Sequence, residues 1–221
     1  MKVEENKVKY NIKNVHVAKQ TETIGENGTG YSYENPRRIP GAVSISLDAE
    51  GEISKFHADG IAYFVTSANN GYSGDLEMAL IPSWFRKEIL NETQDANGVL
   101  VENANQNTNK FALLFEFDGD VRAIRRCMYN CTCTRPSIES ETKEDTIEPG
   151  TEKLSITSSP REDGLVKAQT GPDTAAETYA NWYKTVYIPP VSEVAAEGTG
   201  SEGTTPEETV ADKMSLEKTA E

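Results

Sequence analysis

The chain has 221 residues, and 36% of them are apolar, below the roughly 45–50% of an average globular domain. Its formal net charge of −14 argues against tight or sequence-reading nucleic-acid binding, because a strongly negative surface repels phosphate. The first residues are charged and do not resemble a secretory signal, and the cysteine count is odd. We therefore expect free thiols and synthesis in a cytoplasm.

The acidic residues are unevenly distributed along the chain. Residues 191–221 contain eight acids and two lysines, a net charge of −6, which leaves −8 for residues 1–190. The last segment is built of Gly, Thr, Glu and Ser without apolar periodicity, a composition typical of disorder. We predict one β domain over residues 1–190, followed by an acidic low-complexity tail over residues 191–221.

The N-terminal third predicts an arm and the first strands. Residues 1–14 have few apolar anchors and predict an extended arm, and residues 15–18 predict a first short strand. From Gly41 the apolar period is two, because Val43, Ile45 and Leu47 alternate with polar residues. This strand is expected to form a hairpin with residues 52–56 around a turn at 49–51. Residues 61–66 and 76–80 predict two further strands.

A single short helix follows in the pattern. Residues 81–91 place Pro82 or Ser83 at a helix start, and Phe85 and Ile89 share one face at a spacing of four. Residues 98–101 then predict a short edge strand.

The most apolar run of the chain is residues 111–117. Because a tight turn at 118–120 follows it, the segment 121–134 is expected to pair back as a hairpin at the centre of the sheet.

The segment 135–150 predicts a mobile acidic loop, since it has almost no apolar residues apart from two isoleucines. Strand patterns resume at 153–157 and 165–168, residues 175–180 predict a helical turn, and residues 182–188 predict a closing strand. Together these elements predict a mainly β (α+β) fold, an antiparallel β-sandwich or barrel with one short flanking helix. The acidic residues of the loop are Glu139, Glu141, Glu144, Asp145 and Glu148.

The sequence lacks the motifs that would indicate metal binding or catalysis. Cys127, Cys131 and Cys133 share one parity of a strand, which predicts one common face, but a structural zinc site needs four ligands. We expect these thiols to act as small buried hydrophobes. His16 and His57 stand alone, and no known nucleophile, metalloprotease or phosphate-loop motif is present. We therefore predict no metal, no cofactor and no enzymatic activity.

Basic residues are concentrated at two places. Arg122 and Arg126 are expected on one strand face and Arg125 on the other, while Arg37 and Arg38 lie in a turn cluster. Against the acidic background we expect these arginines to form exposed or intersubunit salt bridges.

With these residues assembled, the chain resembles the major tail proteins of bacteriophages with long, non-contractile tails. The likeness lies in residues 38–47, 56–64 and 69–77 and in the helix opening at Ile81-Pro82. Residues 69–77 match the family pattern Asn-x-Gly-Tyr-x-Gly-x-Leu-Glu. A second block spans residues 110–120 and its returning strand.

The resemblance implies a structural virion protein that forms stacked rings, of six subunits, in a tail tube through which DNA is ejected. It implies that the arm 1–14 and the loop 135–150 connect subunits and rings, so the five loop acids, Arg37 and Arg38 are candidate assembly residues. The implied partners are further copies of the chain, the tape measure and other tail proteins, and double-stranded DNA that passes non-specifically, with no membrane. The implied location is the virion tail, assembled in the host cytoplasm.

Two alternatives stay open at the level of sequence. One is another virion component, a head–tail connector or a capsid decoration protein. The other is a soluble β-barrel that binds a ligand in a deep pocket.

Overall fold

The computed structural model describes residues 4–25, 28–139 and 149–190. The strands are β1 (Lys9–Gly25), β2 (Gly28–Tyr33), β3 (Arg37–Arg38), β4 (Ala42–Glu50), β5 (Ile53–Ala58), β6 (Ile61–Ser67), β7 (Gly71–Met78), β8 (Thr93–Gln94), β9 (Leu100–Val101), β10 (Phe111–Gly119), β11 (Ile124–Cys133), β12 (Glu152–Ser158) and β13 (Lys167–Gln169). The helices are α1 (Ser83–Glu88) and α2 (Ala176–Asn181).

One large antiparallel sheet organises the fold. Its strands run in the order β2-β1-β10-β11-β12-β7-β4, with β13 added on β11 and β3 added on β1. The predicted hairpin of residues 111–117 and 121–134 is confirmed as β10 and β11, which lie in the middle of this order. The predicted fold class, mainly β with an antiparallel sheet and a flanking helix, is also confirmed.

Each face of the sheet packs against its own apolar cluster. Alternate residues of β10 point to opposite faces, so Phe111 and Leu113 join the first cluster while Ala112 and Leu114 join the second. This two-sided burial explains why β10 is the most apolar run of the chain. Other members of the first cluster are Val15, Val17, Leu76, Met78, Phe115, Leu154 and Ile156. The second cluster also contains Ala18, Cys127, Tyr129 and Trp182.

Helix α1 covers the first cluster. It begins after Pro82, as the sequence predicts, and its Phe85 ring meets the Phe111 ring edge-on at 6.0 Å between centroids. Burial of a side chain such as Phe85 contributes about 1.5–3 kcal/mol. The second helix, α2, lies in the chain segment that covers the opposite face of the sheet, where the sequence predicts only a helical turn.

The first strand is much longer than predicted. The predicted arm ends at residue 14, but β1 already begins at Lys9, where it pairs with Gly119 of β10. Polar side chains before it are also engaged, because the Asn6 side-chain amide donates to Arg122 O at 2.6 Å. Of the predicted arm 1–14, residues 9–14 are therefore strand, and residues 1–3 lie outside the described residues.

The predicted hairpin between residues 43–47 and 52–56 is wrong. Strand β4 pairs with β7, β5 pairs with β6, and the chain reverses at Asp59-Gly60, both of which have positive φ (52° and 78°). That geometry matches a type I′ turn, the tight turn that Asp-Gly favours. The chain does not reverse at Gly51, where a Cβ would lie 2.0 Å from the carbonyl oxygen of Ala68. The backbones approach closely here, and the β4–β7 ribbon continues into β5–β6.

The predicted closing strand over residues 182–188 is also wrong. This segment forms turns, in which Lys184 N–H donates to Asn181 O at 2.9 Å. Strand β11 is already paired along different parts of its length with β10, β12 and β13, so it offers no free edge beside this segment. The Trp182 side chain instead packs into the second cluster.

The chain divides into two compact units, Met1–Tyr187 and Ile188–Glu221. Of the second unit only residues 188–190 are among those the structure describes. The acidic tail over residues 191–221 therefore lies outside the described residues and stays a prediction.

Candidate self-assembly surfaces

The hairpin of β5 and β6 exposes large apolar side chains. In the unit Met1–Tyr187 every residue of the two strands except Ala58 is exposed. Six large apolar residues have between 53% and 72% of their surface accessible. Large contiguous exposed apolar patches mark interaction sites on soluble proteins. The six are Ile53, Phe56, Ile61, Tyr63, Phe64 and Val65.

Both faces of this hairpin are apolar. Cross-strand partners share a face, so the pair Phe56–Phe64 defines one face and the pair Lys55–Val65, with Ile53, defines the other. An isolated two-stranded hairpin is only marginally stable in water. A second copy of the chain that covered one or both faces would remove this apolar surface from water.

The two arginines predicted as assembly residues have different surroundings. Arg37 pairs with Glu88 of α1 at 3.0 Å, and its guanidinium lies 4.3 Å from the Trp84 ring centroid. Arg38 is exposed in β3, beside His16 of β1. Arg37 is thus held by contacts within its own chain although 52% of its side chain is exposed, and Arg38 is exposed as well.

The acidic loop is only partly described. Glu139 is exposed, next to a fully exposed Ile138. The other four predicted assembly residues, Glu141, Glu144, Asp145 and Glu148, lie outside the described residues, so their role stays a prediction.

The central arginines do not divide between faces as predicted. Arg122 and Arg125 both stack on the Tyr179 ring, at 3.5 and 3.7 Å from its centroid, whereas Arg126 lies over Phe117 at 5.3 Å. Arg122 precedes β11, so the alternation of that strand does not apply to it.

The three cysteines are buried free thiols, but they do not share one face as predicted. Cys127 lies in the second apolar cluster, whereas Cys131 and Cys133 lie in the first. The cause is a β-bulge, because two steps along β10 (Phe111 to Leu113) oppose three along β11 (Cys131 to Met128). Burial raises the pKa of Cys131 and of Cys133 to about 12, so these thiols stay protonated at neutral pH.

The described residues hold no group of His, Cys, Asp and Glu side chains that could bind a metal ion. His16 Nδ1 donates to the Asn14 carbonyl at 2.7 Å, and its ring stacks on Tyr183 at 4.4 Å. Burial lowers the pKa of His16. These contacts fix His16 as part of the packing of β1.

None of the helices that the structure describes has the length and hydrophobicity needed to cross a membrane.

The apolar hairpin is the feature that the sequence patterns missed. Its signal is the Asp59-Gly60 dipeptide between two strand-like runs, the strongest short-range mark of a tight hairpin. Its exposure has no local signal, because a run that is apolar on both faces is typical of a buried strand.

No family model matches this chain, and no curated protein sequence matches it. Among solved structures it is similar to the anti-feeding prophage cap, described as the cap that terminates the AFP tube and determined by cryo-EM. The identity is 11% and the TM-score 0.40, over 77% of this chain and 98% of that one. No family assignment follows from these comparisons.

Proposed function

We propose that this chain is the building block of a bacteriophage tail tube, a structural protein that assembles as stacked rings around a channel for DNA. The observation that carries the proposal is the β5–β6 hairpin, with six large apolar side chains exposed in the single chain. Such a surface has a physical purpose if another copy of the chain covers it in the assembly.

The architecture supports repeated association. Among the described residues strand β2 pairs only with β1, so its other edge is open, and an open strand edge is a template for pairing with another chain. The hairpin extends from the β4–β7 ribbon, and at about 3.3 Å per residue strand β5 spans about 20 Å. An element of that length can reach across an intersubunit boundary.

The charge of the chain is compatible with a DNA channel. A net charge of −14 disfavours phosphate binding, which lets a polyanion pass without adhering. The sequence resemblance to major tail proteins is the reason for choosing a tube over other assemblies. A structural role is proposed in place of a catalytic one.

The test is the assembly state of the purified chain. We expect long tubes of uniform diameter by negative-stain electron microscopy and a high-mass species by sedimentation velocity. The double variant Phe56→Ser/Phe64→Ser is expected to stay monomeric with an unchanged melting temperature, because both side chains are exposed in the single chain.

A matched control changes two exposed apolar residues elsewhere. Ile24→Ser/Val121→Ser removes similar side chains outside the hairpin and should still form tubes. Short closed rings that do not grow lengthwise would favour a head–tail connector. A wild-type chain that stays monomeric at all concentrations would refute the proposal.

A further inference from the structure

A cationic cavity, the mouth, lies where β1 and β4 approach each other. This cavity of about 220 Å³ is rimmed by Lys9 of β1, Arg126 of β11 and Lys167 of β13, and none of the described residues that line it is acidic. Three positive charges without a carboxylate are exceptional in a chain whose net charge is −14.

The rim cations lie over aromatic rings, and Lys167 also donates a hydrogen bond to the Tyr72 hydroxyl. Lys9 and Arg126 lie 5.5 and 5.3 Å from the Phe117 centroid, and Lys167 lies 4.3 Å from that of Tyr72. Among the described residues none of the three has an ion pair, and the buried Nε of Arg126 has no hydrogen-bond partner.

The floor of the mouth is apolar. It is formed by core side chains of β4, β10 and β11. An apolar floor under a cationic rim suits a segment that carries both carboxylates and an aliphatic side chain. The floor residues include Leu47, Phe115 and Met128.

The same chain has a segment of that chemistry between β11 and β12. Residues 139–148 contain five acids and one lysine, and they follow Ile138, whose surface is fully exposed. The mouth lies near the start of β11, at Arg126, whereas the acidic segment follows the end of β11 at Cys133. These two points are separated by about 23 Å along the strand.

We propose that the acidic segment 138–148 of one copy docks into the cationic mouth of the next copy. The inference rests on the proposed function, because it identifies the contact between successive rings. Because the two surfaces of such a contact differ, it is head-to-tail and can repeat from copy to copy along a filament. In this contact the loop carboxylates pair with Lys9, Arg126 and Lys167 of the neighbouring copy.

Charge reversal on each side tests the contact. The mouth variant Lys9→Glu/Lys167→Glu and the loop variant Glu139→Lys/Glu141→Lys/Glu144→Lys should each raise the critical concentration for tube growth about tenfold or more. The five changes combined restore opposite charges and should recover growth, which separates a lost contact from a folding defect. The control Lys87→Glu/Lys184→Glu makes the same charge change as the mouth variant at exposed sites away from the mouth and should grow like the wild type.

A peptide experiment separates this inference from the proposed function. A fluorescent peptide of residues 137–149 should bind the full chain, and the mouth variant should bind it about tenfold more weakly or worse. If the wild type forms no tubes, the proposed function fails, and the peptide titration alone decides the inference.

Two results would overturn the docking proposal. The first is equal peptide binding by the wild type and the mouth variant. The second is that the mouth variant grows tubes normally but no longer retains duplex DNA on a filter. This result would mean that the mouth binds phosphate and not the acidic segment.

Discussion

Arg125 Nε donates to Glu116 Oε2 at 2.9 Å, and this bond joins directly paired positions of β11 and β10. Only 17% and 8% of the two side chains are exposed. The same carboxylate accepts from Asn14 Nδ2 at 2.7 Å and from Tyr183 OH at 3.2 Å. The central hairpin is therefore connected to β1 and to the segment after α2 through one carboxylate.

Arg125→Ala is expected to lower the free energy of unfolding by about 3 kcal/mol, because it leaves Glu116 buried without its cation. Urea denaturation at neutral pH measures the change. The control Arg38→Ala removes an exposed guanidinium and should cost no more than about 0.5 kcal/mol. Equal losses in the two variants would mean that the pair contributes no special stability.

The buried thiols should be unreactive in the folded chain. Burial raises the pKa of Cys131 and Cys133 to about 12 and that of Cys127 well above its usual value, and the thiolate is the reactive form. A disulfide reagent at about pH 8 should label no thiol in native protein and all three cysteines in urea. Rapid labelling of native protein, with no sign of unfolding, would contradict the burial of these residues.

Protonation of His16 should make the folded chain less stable at mildly acidic pH. Its folded-state pKa is lowered by burial first and by the nearby Arg38 as a smaller cause, although the Asn14 carbonyl and Glu116 act in the opposite direction. Below the ordinary value of 6.5 the unfolded chain takes up a proton before the folded chain does, so stability is lost as pH falls from 6.5 toward the folded pKa.

Urea titrations at several pH values between about 7 and 5 measure this loss. His16→Phe keeps an aromatic ring against Tyr183 and should show a shallower decline over that range. His57→Phe is the matched control, because His57 is exposed in β5. A decline of the same slope in wild type and His16→Phe would assign the effect to other groups.

Gly51 should be intolerant of any side chain. A Cβ there would lie 2.0 Å from Ala68 O, so Gly51→Ala is expected to separate the ribbon backbones and cost about 2 kcal/mol or more. Gly60→Ala, at the hairpin turn, meets no atom within 4 Å and should cost only about 1 kcal/mol for its positive φ. Thermal unfolding measures the stability of both variants. The β5–β6 hairpin should be cleaved by protease faster in Gly51→Ala than in Gly60→Ala.

Sequence reasoning found the elements better than it found their partners. The alternation of Val43, Ile45 and Leu47 identifies β4, and Pro82 marks the start of α1, because both signals depend on neighbours along the chain. The predicted pairing of β4 with residues 52–56 is wrong, because Asp59-Gly60 forms a better turn than residues 49–51. Strand β5 therefore pairs with β6, and β4 pairs with β7.

Local sequence patterns were enough to predict most of the extended segments, although not residues 9–14 and not the turns at 182–188. They also predict that the 111–133 hairpin is central, that the cysteines are buried as small hydrophobes, and that the chain is strongly acidic. Backbone preference, apolar period and charge are local properties, and they can be evaluated residue by residue. The three-dimensional fold is needed to see that a bulge places Cys127 and Cys131 on opposite faces, that an apolar hairpin is exposed, and that Lys9, Arg126 and Lys167 meet around one cavity. These relationships depend on which strands pair and in what register, and distant segments settle that jointly by burying their apolar faces.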